Sequence, residues 1–137
     1  MYAGGCFCGA VQYEADGPVL NCTWCHCSMC RRLCGAPNVA WFSVRRTQFR
    51  YVRGQPARFS SSPGVVREFC GACGTQLTFA DARSPDEMDV TTCSLDDPEA
   101  LAPQDHTFAE NRLHWAGICD DLPRYRRTRG EGVLESA

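Results

Sequence analysis

Cysteine spacing constrains this chain more than any other feature. Eleven of its 137 residues are cysteine, and seven of them fall into three tight groups, in GCFCG (5–9), CHCSMC (25–30) and CGACG (70–74). The N-terminus, MYAGGCFCGA, has neither a basic start nor an apolar run, so no signal peptide is expected. No stretch approaches the roughly 20 apolar residues of a membrane span. A reducing, cytoplasmic setting is therefore expected, and there CxC and CxxC spacings point to metal rather than to disulfides. The odd cysteine count agrees.

The first and third groups look alike. In each a glycine, Gly9 or Gly74, follows the last cysteine and lets the backbone turn sharply enough to aim N–H groups at sulfur. Each such knuckle offers two thiolates, and a structural zinc takes four. Cys6 and Cys8 are therefore paired with Cys70 and Cys73 as one closed site.

The middle group, CTWCHCSMCRRLC (22–34), has arginines after Cys30 instead of a glycine. Cys22, Cys25, Cys27 and Cys30 could close a four-cysteine site. A regular strand would instead put Cys25 and Cys27 on one face, with Cys22 and His26 on the other, and Cys30 would return through the turn into a helix. Cys34, one helical turn beyond Cys30, could also reach the metal. Three thiolates with one open position is the preferred count, because catalytic zinc keeps three protein ligands. Such a site keeps a net negative charge and suits a further soft ligand, above all a substrate thiol. A thiol bound there loses its proton near neutral pH and can attack an electrophilic carbon.

The rest of the chain reads as a single mainly β domain over residues 1–130, with a frayed tail over 131–137. Val11 and Tyr13 alternate with polar neighbours. VAWFSV (39–44), FRYV (49–52), VVREF (65–69), QLTFA (76–80) and MDVTTC (88–93) are β-branched or aromatic runs. SSPG (61–64) and SPDE (84–87) mark turns. Short helices are expected from Ser28, acting as cap, to about Leu33, and after SLDDPEAL (94–101). The formal charge of −2 gives no general attraction to nucleic acid or anionic membrane. All 14 basic residues are arginine, which removes lysine Schiff-base chemistry.

Taken in order, GGCFCGAVQYEA, CHCSMCRRLCGAP, Trp41, FCGACGTQL, SLDDPEAL and Trp115 followed by LPRY (122–125) resemble the glutathione-dependent formaldehyde-activating enzyme family, which includes centromere protein V. The resemblance runs from about Gly4 to Arg127. It implies a β-tent fold of antiparallel sheets, a structural zinc on Cys6, Cys8, Cys70 and Cys73, and a catalytic zinc on Cys25, Cys27 and Cys30. It also implies a carbon–sulfur lyase that adds glutathione to formaldehyde, giving S-hydroxymethylglutathione, or a related reaction of a thiol with an aldehyde. Cys22, Cys34, Cys93 and Cys119 lie outside the shared pattern.

Other residues carry two readings. Arg31 and Arg32 suit glutathione's carboxylates, but equally suit an anionic thiolate site or water. His26 is a candidate base, although an imidazole supporting the site is the commoner outcome. Trp41 and Trp115 are candidate pocket walls, with burial the commoner fate of tryptophan. His106 and His114 read as structural, Asp96 and Asp97 as a turn or cap, and RYRRTR (124–129), with Tyr125, as a solvated basic run. Two rival functions stay open from sequence. One is a non-catalytic zinc module that binds a protein or nucleic acid, and the other is a redox sensor using Cys22 or Cys34.

Overall fold

The computed structural model describes residues 1–133; residues 134–137, the end of the expected tail, lie outside the described residues. The chain is mainly β. Its strands are β1 (Tyr2–Gly5), β2 (Gln12–Ala15), β3 (Asn21–Cys25), β4 (Val39–Arg45), β5 (Phe49–Arg53), β6 (Ala57–Ser62), β7 (Val65–Phe69), β8 (Gln76–Asp81), β9 (Glu87–Thr91) and β10 (Asp105–Thr107), with one α-helix, α1 (Ser28–Cys34). Short 3-10 turns fill several connections, among them Pro98–Leu101, where a second helix is expected from sequence. Pro98 sets the first turn there, but four residues are too few to propagate an α-helix. No helix among the described residues is long and apolar enough to cross a membrane.

Two compact units divide the chain, Met1–Asn21 with Phe42–Ala102, and Cys22–Trp41 with Pro103–Ala137. In the first unit, β1, β2 and β5 form a small antiparallel sheet. A second run of strands follows the order β4, β9, β8, β7, β6. The hairpin from β6 to β7 turns at Gly64, whose φ of 78° lies in the left-handed region that glycine alone adopts freely. Tyr13, Phe42, Val44, Leu77 and Val90 are fully enclosed and make the core. Most come from the alternating and β-branched runs, as a pleated half-buried surface demands.

Two phenols tie this core together. The Tyr13 hydroxyl lies 2.7 Å from Ser94 Oγ. Tyr51 donates to Glu68 Oε1 at 3.1 Å and lies 3.2 Å from Thr78 Oγ1. Burial pushes both phenols above their ordinary range, so they remain neutral hydrogen-bonding groups. Tyr13 and Phe49 meet at a tilt of 31° with ring centroids 5.3 Å apart, and Phe49 meets Tyr51 edge-on at 5.0 Å.

The second unit pairs β3 with β10, and this pair is parallel: Thr23 faces Asp105, Trp24 faces His106 and Cys25 faces Thr107. The mainly β, antiparallel architecture expected from sequence stands, and this parallel pair makes the sheets mixed. Parallel pairing needs a long connection. Here some 80 residues separate the partners, a pairing that local sequence pattern does not encode. The expected cap of α1 is corrected as well. Cys27, not Ser28, occupies the N-cap, with φ −63° and ψ 148°, and its sulfur accepts the Cys30 N–H.

Gly4 shows how tightly the small sheet is packed. A Cβ at this position would lie 2.5 Å from both Ser94 O and the Tyr13 hydroxyl. Gly4→Ala is expected to cost about 1–3 kcal/mol by forcing Tyr13 off its bond to Ser94. Urea unfolding checks this, and an unchanged midpoint would show that β1 yields without strain.

Candidate metal centres

The first unit gathers four sulfurs. Cys6, Cys8, Cys70 and Cys73 bring their Sγ atoms within 4.8 Å of one another. Cys6 lies 3.6 Å from Cys8, and Cys8 lies 3.8 Å from Cys70. Backbone geometry explains the convergence. Gly9 and Gly74 adopt φ of 79° and 85°, and their N–H groups close each knuckle on the carbonyls of Cys6 and Cys70 at 3.1 and 2.8 Å. The N–H groups aimed at sulfur come from their neighbours. Val11 donates to Cys6 Sγ at 3.2 Å, and Cys73 donates to Cys70 Sγ at 3.4 Å.

The electrostatics of this cluster are uneven. Hydrogen bonds from the Thr75 side chain and backbone hold the Cys73 thiol down to about 5. Thr75 Oγ1 sits 3.3 Å from that sulfur and accepts the Phe7 N–H at 3.0 Å. Burial opposes ionisation of Cys6, yet bonds from Val11 N–H, Cys8 and Cys70 bring it below the ordinary value. For Cys8 the Ala10 N–H favours the thiolate, but the other sulfurs and burial outweigh it and push the thiol up to about 11. Four thiolates this close do not all form unless a cation lies between them.

The donor set fits zinc. A tetrahedron with metal–sulfur bonds of about 2.3 Å has edges of roughly 3.8 Å, whereas a disulfide bond measures about 2.05 Å. The sulfur separations match the first figure, and every cysteine is unbridged.

The second unit gathers three more sulfurs, those of Cys25, Cys27 and Cys30, all buried. Cys25 and Cys30 lie 3.7 Å apart, again a tetrahedral edge. The route to convergence differs from the regular strand expected from sequence. β3 stops at Cys25, Cys27 caps α1, and Cys30 belongs to its first turn. The Cys30 N–H donates to Cys27 Sγ at 3.2 Å, so the cap itself aligns two of the three donors. Bonds from Cys27 and Cys30, with burial, push the Cys25 thiol far up. Neither Cys22, Cys34 nor His26 belongs to this group, and no fourth histidine, cysteine or acidic ligand atom joins it among the described residues.

His26 turns elsewhere. Its Nε2 lies 2.9 Å from His106 Nδ1, and His106 Nε2 lies 3.0 and 3.1 Å from the two carboxylate oxygens of Asp120. Burial, then the charge of His106, pulls the His26 imidazole down to about 4, so it is neutral at pH 7. A structural role for His106 is the expectation from sequence, whereas Asp120 carries no signal there, because no local pattern links acids and histidines 14 residues apart. Of the other candidates, Arg31 donates to Asn111 O at 3.4 Å, Arg32 is exposed, and Trp41 is buried. Trp115 is 76 % exposed, contrary to the burial usual for tryptophan. His114 is exposed too, and Asp96 sits in a turn with its N–H on Ala3 O at 2.9 Å.

The basic run is solvated from Arg126 to Arg129, as expected, but it is tied down by ion pairs and backbone bonds. Arg129 forms a two-pronged ion pair with buried Asp105, and Arg127 pairs with Glu110 and Glu131. The Tyr125 N–H donates to His106 O, and Ala109 N–H to Tyr125 O, so residues 123–127 run beside β10.

A mainly β chain with two clusters of converging cysteines defines a class of small cysteine-rich proteins with sites that could hold metal ions. Within that class, a family model described as glutathione-dependent formaldehyde-activating enzyme matches residues 1–111, and the chain belongs to that family. It is similar to an uncharacterized lyase of Schizosaccharomyces pombe, at 37% identity over 81 residues, covering 58% of this chain and 57% of that protein. The matched region is thus less than two thirds of that relative's length. It is also similar to a Halomonas elongata protein provisionally named glutathione-dependent formaldehyde-activating enzyme, at 26% identity over 128 residues, covering 86% of this chain and 81% of that protein. A crystal structure of a Rhodobacter sphaeroides protein aligns with a TM-score of 0.63 at 28% identity, covering 77% of this chain and 99% of that one.

Residues from Arg112 onward lie beyond the family match. The Arg129–Asp105 pair is one of the bonds that fasten this segment to β10. Arg129→Ala would strand a carboxylate whose side chain is only 10% exposed, while Arg129 itself is 36% exposed. Solvent screening reduces the cost below that of a fully buried pair, to about 2 kcal/mol. Thermal unfolding checks this, and hydrogen exchange should rise at residues 123–127 before it rises in the first unit.

Proposed function

We propose that the chain is a carbon–sulfur lyase of the glutathione-dependent formaldehyde-activating type, with one zinc on Cys6, Cys8, Cys70 and Cys73 and a second on Cys25, Cys27 and Cys30. The first set is closed and serves stability; the second has three donors and serves chemistry. The observation that carries the reading is the second cluster, three buried sulfurs at ligand spacing joined by no fourth ligand among the described residues. The family membership supports the substrate class.

Zinc at the second cluster supplies a positive centre that lowers the pKa of a thiol bound beside it. The chain's own residues do the rest. Cys27, held by the Cys30 N–H, presents its sulfur without a search among rotamers. The charges of Arg31 and Arg32, next in sequence to Cys30, suit the two carboxylates of glutathione. His26, neutral and turned to His106, supports the ligand segment. Trp41 and exposed Trp115 are the aromatic candidates for covering bound substrate. In the forward direction the glutathione sulfur forms a bond to the formaldehyde carbon. The carbonyl π electrons move to oxygen, and the thiol proton ends on that oxygen as the hydroxyl of S-hydroxymethylglutathione.

Cobalt substitution tests the reading. Glutathione added to the cobalt protein should strengthen the thiolate-to-metal absorption and saturate at one equivalent per chain, and formaldehyde should then be consumed. Cys27→Ser should lose one of two metals, keep the fold by circular dichroism, and lower kcat/KM by at least about 100-fold. Full activity with one metal remaining would refute the proposed mechanism.

A further inference from the structure

We propose that Asp120 is a positioning residue for the second cysteine cluster: its carboxylate fixes the His106 ring, and His106 fixes the His26 ring that stands in sequence between Cys25 and Cys27. The inference rests on reading that cluster as a metal site. Metal-bound cysteines depend on the groups that hold their backbone and side chains in place, and in this unit a hydrogen-bonded row supplies that hold.

Proton accounting fixes the order of the row. An ionised carboxylate only accepts, so His106 Nε2 must carry the hydrogen that faces Asp120 at 3.0 Å. His106 Nδ1 then meets His26 Nε2 at 2.9 Å, and a single proton lies between them. Both rings are almost wholly buried, His26 at 1% and His106 at 3% exposed, so water does not readily replace the bond between them if it is lost. Flipping the His106 ring would turn carbon toward both neighbours and break both bonds. Asp120 prevents this because, although its side chain is 37% exposed, it is held by bonds of its own. The Leu122 N–H donates to its Oδ1 at 3.0 Å, and Arg124 donates to its carbonyl at 3.3 Å. The following segment is clamped on either side of His106, whose N–H donates to Pro123 O and whose carbonyl accepts the Tyr125 N–H, each at 2.8 Å.

At the other end, His26 is held twice. Its backbone N–H donates to Thr107 O at 3.0 Å, and its ring meets His106. Cys25 and Cys27 flank it, so a free His26 ring loosens the segment that brings two sulfurs to one point. The helix that supplies the third sulfur has only seven residues and cannot hold the geometry alone. Asp120 lies beyond the family match, which ends at residue 111. The C-terminal segment therefore contributes to the centre without offering it a ligand.

The test uses zinc-loaded full-length protein and a colorimetric chelator, pyridylazoresorcinol. Cys27→Ser identifies which release phase belongs to the second cluster. Asp120→Ala should speed that phase by about 10-fold or more, the usual effect of removing a group that supports a metal ligand, and leave the other phase unchanged. Asp120→Asn, whose amide oxygen still accepts the His106 proton, should release metal close to the wild-type rate. Nitrogen-15 imidazole shifts should show one tautomer each for His26 and His106 in wild type and averaged signals in Asp120→Ala. Two metals bound with wild-type release in Asp120→Ala would overturn the proposal alone. So would equal acceleration of both phases with a lowered Tm, which is a purely structural effect. Should Cys27→Ser change neither metal content nor any phase, the reading of Cys25, Cys27 and Cys30 as a metal site fails first.

Discussion

Sulfur atoms held 3.6–3.8 Å apart without a bond between them set the terms for this molecule. At that distance thiolates repel one another, and neutral thiols gain little from meeting. The arrangement becomes favourable when a cation shares the charge. Within the first unit the four donors come from two knuckles more than 60 residues apart in sequence. Joining them fixes the start of the small sheet relative to the β7–β8 hairpin. A core of modest size, built on Tyr13, Phe42, Val44, Leu77 and Val90, then needs less apolar burial to hold its strands.

The second unit solves a harder problem with less structure. One short helix, one parallel strand pair and a C-terminal segment must keep three thiols together. Burial alone opposes this, since it disfavours the thiolate form. The unit compensates locally with the Cys30 N–H on Cys27, and from a distance with Thr107, His106 and Asp120. Such a division of labour would suit the proposed centre, which has to keep room for a substrate. Support that comes from outside the ligand set would leave a fourth position of such a centre free.

Much of this was legible in the sequence because the information is local. Both CxC and CxxC spacings, with Gly9 and Gly74 in the left-handed region, specify knuckles within five residues. Strands β4, β5, β7, β8 and β9 coincide closely with the β-branched and aromatic runs. What escaped is non-local or chemically unusual. β1 is YAGG and β6 is ARFSSS, whose small and polar residues carry no strand signal; pairing with neighbours makes them strands. β10 exists through its pairing with β3. A cysteine sulfur is an uncommon helix cap, so Ser28 looked the better choice than Cys27. The run RYRRTR is exposed from Arg126 to Arg129, as expected, but its ion pairs carry no sequence signal because Asp105 and Glu110 lie some 15 to 25 residues earlier.

The same contrast bears on the chemistry. A three-thiolate centre is a mild Lewis acid, because its ligands already donate much negative charge. An N–H aimed at a ligand sulfur withdraws part of that charge, and Cys27 has such a bond from Cys30. A centre of this kind is better at holding a thiol as thiolate than at forcing open a carbonyl. Formaldehyde, already highly electrophilic and too small to need a deep pocket, asks for little activation. Glutathione, large and anionic, asks for orientation. On the proposed function, the chain's investment matches the second demand. Arg31 and Arg32 follow Cys30 in sequence, and the chain has no lysine amine to compete for an aldehyde.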